Sequence, residues 1–244
     1  MNPLFRRLLL LTLATPLAVP AAVITFRNGL DGYGGTVDTF LDEAQPDTAF
    51  PNDSGNNNSV DADGNNATAG RPHEQALLRF DNIFGGGLNQ IPAGSVINSA
   101  TLAIEITNTS NDTQGLFHRM VVSWGDASTW NSLGGGVTLG TDALAALDAT
   151  LPTPITLGSK SVDVTTSVQS WSAGGDNFGW AVLPSDTGSN GNGFNFRRSE
   201  SSVLAGRPTL VVDYTVVPEP ATVGTFTAVA LGGLGLWARR RRAC

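Results

Sequence analysis

Between residues 22 and 216, polar and apolar side chains alternate with a period of two along most of the chain. Thr101–Thr107 places Leu102, Ile104 and Ile106 on one side of an extended backbone, with Thr101, Glu105 and Thr107 on the other. Successive strand residues point to opposite faces, so this run predicts a half-buried strand. The same pattern predicts strands over 23–27, 36–41, 76–81, 116–124, 178–182, 194–198 and 209–216. Turn clusters lie between them, at Gly85-Gly86-Gly87, Gly134-Gly135-Gly136 and 188–193. Eight or nine strands at this spacing predict an all-β antiparallel sandwich. One segment changes period: Val164, Val168 and Trp171 fall at i, i+4 and i+7, which predicts one short helix. Asp163 can cap it and Gly174-Gly175 can end it. Ala143–Leu147 predicts a further helical turn.

The two ends break the alternation. Residues 1–21 carry Arg6-Arg7, then an apolar run from Leu8 to Leu17, then small residues through Ala21 and Ala22. This is the order of a secretory signal peptide, with cleavage expected after Ala21 or Ala22 by signal peptidase. Pro16 interrupts the apolar run, which falls short of the ~20 residues that a bilayer span needs. At the other end, residues 217–244 contain Pro218-Glu219-Pro220, an uncharged run from Ala221 to Ala238, and the cluster Arg239, Arg240, Arg241 and Arg242. As a helix that run rises roughly 27 Å, about one hydrocarbon core, and predicts a single transmembrane helix with the arginines on the cytoplasmic side.

Taken together, Pro218, Glu219, Pro220, the span and the terminal arginines resemble the PEP-CTERM sorting signal. The resemblance covers about the last 28 residues. It implies that an exosortase-type enzyme reads the motif and removes the tail, as the protein passes from transient anchorage in the inner membrane to the surface of an exopolysaccharide-producing Gram-negative bacterium. Cys244 then lies on the discarded side.

Charge is unevenly placed. Setting aside Arg6, Arg7, the four terminal arginines and Glu219 leaves eight basic residues against twenty acidic ones. So acidic a middle is not expected to bind nucleic acid, since counterion release requires a basic surface. The single cysteine excludes a disulfide-stapled scaffold, and 41% hydrophobic residues exclude a largely disordered chain.

A second resemblance covers the middle. Val37–Leu41, Ala76–Asp81, Ile91–Leu102, Trp124–Trp130, Val162-Asp163-Val164 with Trp171, Gly179-Trp180, and Arg207–Leu210 leading to Tyr214 occur in the order found in the DNRLRE domain. That secreted β-sandwich family is related to carbohydrate-binding module family 96. The sequence lacks the six-letter string for which the family is named, and its Asn-rich insertion from Pro51 to Gly70 is long. The resemblance implies a jelly-roll-like fold over 22–216, contact with polysaccharide, and no catalytic residues.

The residues themselves assemble no reaction centre. There is no Gly-x-Ser-x-Gly elbow, and His73 and His118 are the only histidines. His118 alternates with Leu116, Met120 and Val122, as a packed strand histidine does. Sugar contact uses aromatic faces and planar hydrogen-bonding groups. Trp130 and Trp124 are the candidate platforms; Trp130, in a polar, loop-like setting, is the better one, although a plug at one end of the sandwich fits it at least as well. Arg79, Arg119 and Arg197 stand among apolar neighbours and can meet an anionic sugar bidentately or pair with aspartates. Asp61, Asp63 and Asn65 offer hard oxygen ligands for calcium, the one candidate ion; they equally make a solvated Asx-turn cluster. The expectation is a non-enzymatic protein of the cell surface or extracellular matrix that associates with exopolysaccharide. The alternatives are a purely structural matrix protein without a sugar site and a polysaccharide-active enzyme.

Overall fold

The structure, a computed structural model, describes residues 21–51, 59–64, 73–110, 114–185 and 193–217. Eleven strands and one helix follow in the order β1 (Ala21–Phe26), β2 (Thr36–Asp42), β3 (Ser59–Asp63), β4 (Glu74–Phe80), β5 (Val96–Ser110), β6 (Gly115–Arg119), β7 (Ala149–Leu151), β8 (Gly158–Asp163), α1 (Thr165–Ser172), β9 (Trp180–Pro184), β10 (Gly193–Arg197) and β11 (Thr209–Thr215). The named strands pair only antiparallel.

The strands form one curled sheet in the order β1-β11-β5-β10-β3-β4-β9-β6-β7, with β2 on β4 and β8 on β5. β5 organises one half. Residues 96–103 pair with β11 and residues 106–110 with β10, while residues 101–106 pair with β8. Residues 101–103 thus have partners on both sides, so β8 must lie on the edge opposite β11. β4 organises the other half, between β2 and β9. A single register pair, Asp63 with Glu74, joins the two halves at the β3–β4 corner.

Curling buries one face of each half in a shared core. Leu102, Ile104 and Ile106 of β5, Leu210 and Val212 of β11, and Phe194 and Phe196 of β10 meet Ala76, Leu78 and Phe80 of β4. The predicted alternation in β5 and β11 is therefore the alternation of burial. α1 packs on this core through Val168 and Trp171, and its Thr165 Oγ1 accepts the Ala100 N–H of β5 at 2.9 Å. Asp163 does act on the helix start, accepting the Thr165 N–H at 2.8 Å. The capping position itself is Val164, one residue later.

β4 is buried on both faces. Leu77, between Ala76 and Leu78, joins Leu41, Ala181, Met120, Trp124, Trp130, Val137 and Ala143 in a second apolar cluster. The long connection from residue 120 to 148 supplies most of that cluster and roofs the outer face of this half. Burying an aromatic side chain of ~150–250 Å² is worth several kcal/mol at ~25 cal/mol per Å², so the connection is held as firmly as a strand.

Three expectations change. The strand over 116–124 stops at Arg119, because from Val121 the backbone leaves to pair with the connection, Val121 N donating to Asp142 O. Ala143–Leu147 is not helical; Ala143 sits in isolated bridges to Met120 and Leu139. The Asn-rich insertion contains β3, and β7 and β8 were not expected. The transmembrane helix and all of the signal peptide except Ala21 lie outside the described residues, among which no helix is long and apolar enough to cross a membrane. Ala21 opens β1, opposite Thr215.

Candidate functional site

Trp124 and Arg79 come together, on the outer face of β4. The Arg79 guanidinium stacks 4.8 Å from the Trp124 ring and donates from Nη1 to the Trp124 carbonyl at 2.6 Å. Its other nitrogens form a bidentate pair with Asp81. Trp124 is 5% exposed and gives its indole N–H to the Phe178 carbonyl. The pair fastens the 120–148 connection to the sheet.

Trp130 is 9% exposed and packs in the same cluster. The backbone N–H groups of Gly135 and Gly136 turn back onto its carbonyl. A Cβ on Gly136, at φ +82°, would strike the Trp130 ring, so only glycine lets the chain cross there.

Arg119 Nε lies 3.7 Å from Asp148. Asp148 accepts the Ser167 hydroxyl of α1, and Ser167 Oγ accepts the Trp180 indole N–H at 2.9 Å. This chain of polar groups runs from β6 through the helix to the core tryptophan. Sequence reasoning missed Asp148 and Ser167; the only trace of them was a serine on the buried face of the predicted helix.

Arg197 forms a bidentate pair with Glu105 across the β10–β5 ladder, at 2.9 and 3.1 Å. That hydrogen-bonded pairing holds the Glu105 carboxyl below its usual range and raises Arg197. Gly206 passes so close that any side chain there would collide with both partners. Each candidate arginine thus faces an acid of the same chain, Arg79 and Arg197 bidentately and Arg119 only through the 3.7 Å contact of its Nε, its Nη1 being buried without a hydrogen-bond partner.

Asp61 and Asp63 stand on the same side of β3, opposite the buried Val60 and Ala62. Burial is the main cause raising the Asp61 carboxyl, against a hydrogen bond from Ser59 and with Asp63 and Asp42 adding to the rise. Asn65 lies outside the described residues. Among the described residues, no group of three His, Cys, Asp or Glu side chains is arranged to hold a metal ion.

Two further groups carry unusual electrostatics. Arg198, 2% exposed, donates from Nε to the Ser59 carbonyl and from Nη1 to those of Phe50 and Pro51, and lies over the Phe40 ring. Asp38 has no exposed area and accepts the Ser199 N–H at 2.7 Å. Burial, followed by the neighbouring Glu200, pushes its pKa up to about 7.

The histidines take different places. His118 is buried, with Nδ1 2.9 Å from the Leu144 carbonyl. His73 lies near the surface, its backbone N–H donating to the Glu43 carboxylate. Both line a cavity at the β3–β4 corner, together with Asp63 and Glu74.

Among known families, the PEP-CTERM protein-sorting motif matches residues 216–242. The match takes in Pro218, Glu219, Pro220 and all four terminal arginines, which lie outside the described residues, and it implies processing by an exosortase-type enzyme and sorting to a bacterial cell surface. No curated protein matches the chain. The likeness of the middle to the DNRLRE domain gains no support from these comparisons.

Proposed function

We propose that this chain is a non-catalytic protein of the cell surface or matrix of a Gram-negative bacterium, associated with its exopolysaccharide. The single observation that carries the reading is the sorting motif at residues 216–242. In this proposal, signal peptidase cuts near Ala21, the tail crosses the inner membrane until an exosortase-type enzyme removes it, and the curled sheet is released as a jelly-roll-like sandwich. Calcium at Asp61 and Asp63 belongs to the same proposal. Fractionating the producing cells and weighing the mature protein tests the sorting: loss of residues beyond Pro218 is expected, and an intact tail on surface protein would refute it.

A second reading is a structural matrix protein with no sugar site. What favours it is that Trp124 and Trp130 are buried and that Arg79, Arg119 and Arg197 are each paired with an acid. Retardation in gels cast with the organism's own exopolysaccharide separates the two. Slowed migration supports association, whereas unchanged migration with and without calcium leaves the structural reading.

A further inference from the structure

Arg119 closes β6 with a fork of N–H donors that makes no hydrogen bond among the described residues. Its one ion pair is the 3.7 Å contact of Nε with Asp148, an acid already held by the Ser167 hydroxyl. Nη1 is shut off from solvent and unpartnered, whereas Nη2, equally unpartnered, is not shut off. The Arg119 side chain is 17% exposed, and a guanidinium so far buried with its bonds unmade is costly unless something outside the fold completes them.

Beside the end of β6 lies a cavity of about 240 Å³, walled by Arg119, Val121, Leu144, Ser170, Asp176 and Phe178. The helix explains why Arg119 and Ser170 share it. Ser167, which holds the partner acid of Arg119, and Ser170 are three residues apart and lie on one side of α1. Among the described residues, neither the Ser170 hydroxyl nor the carboxylate of the exposed Asp176 makes a hydrogen bond. Arg79 and Arg197 have filled their forks with carboxylates, so this wall differs from theirs in what it still offers.

What it offers defines a ligand. Arg119 can only donate, the Asp176 carboxylate can only accept, and Ser170 can do either. Asp148 balances the charge of Arg119, so Asp176 leaves the surroundings net negative, which repels a free anion. A secondary amide is neutral and carries both complements, a carbonyl for Arg119 and an N–H for Asp176. Val121, Leu144 and Phe178 add apolar wall beside these groups. The volume falls below the ~300–1,000 Å³ of drug-sized sites, which suits one substituted ring.

We infer that this cavity takes the N-acetyl group of an acetamido sugar, its carbonyl accepting from Arg119, its N–H donating to Asp176 and its methyl resting on the apolar wall. Ser170 serves a ring hydroxyl. The inference rests on the proposed association with exopolysaccharide, whose chain presents the group, and it narrows that association to polymers bearing acetamido sugars.

The test titrates the full chain with N-acetylglucosamine, glucose and glucuronate by calorimetry, and follows bound sugar by saturation-transfer NMR and the Arg119 side chain by ¹⁵N NMR. N-acetylglucosamine is expected to bind at millimolar concentration, to receive most saturation at its acetyl methyl and to move the Arg119 resonances. Glucose and glucuronate should bind at least tenfold more weakly. Val121→Trp, at a position 44% exposed, should fill the cavity and weaken N-acetylglucosamine at least tenfold without changing thermal unfolding. Asp176→Ala, at an exposed position, should weaken it severalfold with the same unchanged melt.

Four results would overturn the inference: no N-acetylglucosamine binding by the folded parent, glucose or glucuronate bound as tightly, binding untouched by Val121→Trp, or Arg119 resonances that no sugar moves, the sign of a trapped water only. Gel retardation by the exopolysaccharide is measured in parallel. Retained retardation without N-acetylglucosamine binding overturns the cavity alone, and N-acetylglucosamine binding without retardation overturns only the polymer association.

Discussion

Asp38→Asn removes a carboxyl that the fold holds where charge is unfavourable. Asp38 lies in β2 with no exposed area, its Oδ2 2.7 Å from the Ser199 N–H. Burial and the Glu200 carboxylate push its pKa from 3.8 up to about 7, outweighing the hydrogen bonds from Ser199 and the attraction of Arg198. Below about pH 4 the folded and unfolded chains both hold the proton. As pH rises toward 7 the unfolded chain releases it first, so folding binds a proton in this window and stability falls with pH. Above about pH 7 both states have lost it and the penalty is constant. At ~1.36 kcal/mol for each pKa unit, the loss across the window is on the order of 4 kcal/mol, a large part of the ~5–15 kcal/mol that keeps a domain folded.

Asparagine keeps an oxygen for the Ser199 N–H and cannot ionise. The variant is therefore expected to lose the decline between pH 4 and 7, so that its stability relative to the parent improves with pH by several kcal/mol. Urea unfolding at one-unit steps from pH 4 to 8 measures this. Parallel curves for the two proteins would refute the reasoning. Glu200→Gln supplies a check on the cause: with one like charge gone, the decline should still begin near pH 4, where the unfolded chain ionises, but end at lower pH and be smaller.

Ile104→Asp places an unpaired carboxylate in the shared core, where Ile104 is 2% exposed; it should cost several kcal/mol or prevent folding, read as loss of the cooperative melt. Ser167→Ala should destabilise by about 2–4 kcal/mol in urea titrations, because it removes the partner of both Asp148 and the fully buried Trp180 indole. Replacing Arg239 to Arg242 with neutral residues should impair processing and surface delivery, measured by fractionation and intact mass. If Asp61 and Asp63 ligate calcium, a hundredfold excess over Kd should stabilise the parent by about 2.7 kcal/mol and leave Asp61→Asn/Asp63→Asn unmoved, which calorimetric melting decides.

Strands with several apolar residues on one face were legible because their burial follows the same period of two. β5, β11 and β10 are of this kind, whereas β2 is buried at every position but Val37. β8 was not legible, since its exposed edge position asks for only one well-buried side chain, Val162. β3 does alternate, with Val60 and Ala62 buried, but five residues among asparagines give too short a run to outweigh the turn chemistry around them. Leu77 shows a further limit. An uninterrupted Ala76-Leu77-Leu78 reads as a buried strand, yet nothing in it says that its second face is covered by a connection forty residues away. The Ala143–Leu147 turn failed for the same reason, because alanines and leucines that favour a helix are drawn into a bridge by the cluster they roof.

The candidate site was legible by residue type and not by destination. Arg79, Arg119 and Arg197 stood out because cations are rare in this chain, and the same scarcity decides their fate. With eight basic residues against twenty acidic ones between the terminal signals, an arginine on a strand has carboxylates within reach, and a charge-assisted bidentate pair within the fold forms without the entropy cost of capturing a ligand. Such pairing leaves acids in excess, and some of that excess gathers at the β3–β4 corner, where Asp63 and Glu74 share a cavity with two histidines. In sequence these four residues span 63 to 118 and make no motif; the single register pair that joins the halves of the sheet brings the two acids side by side.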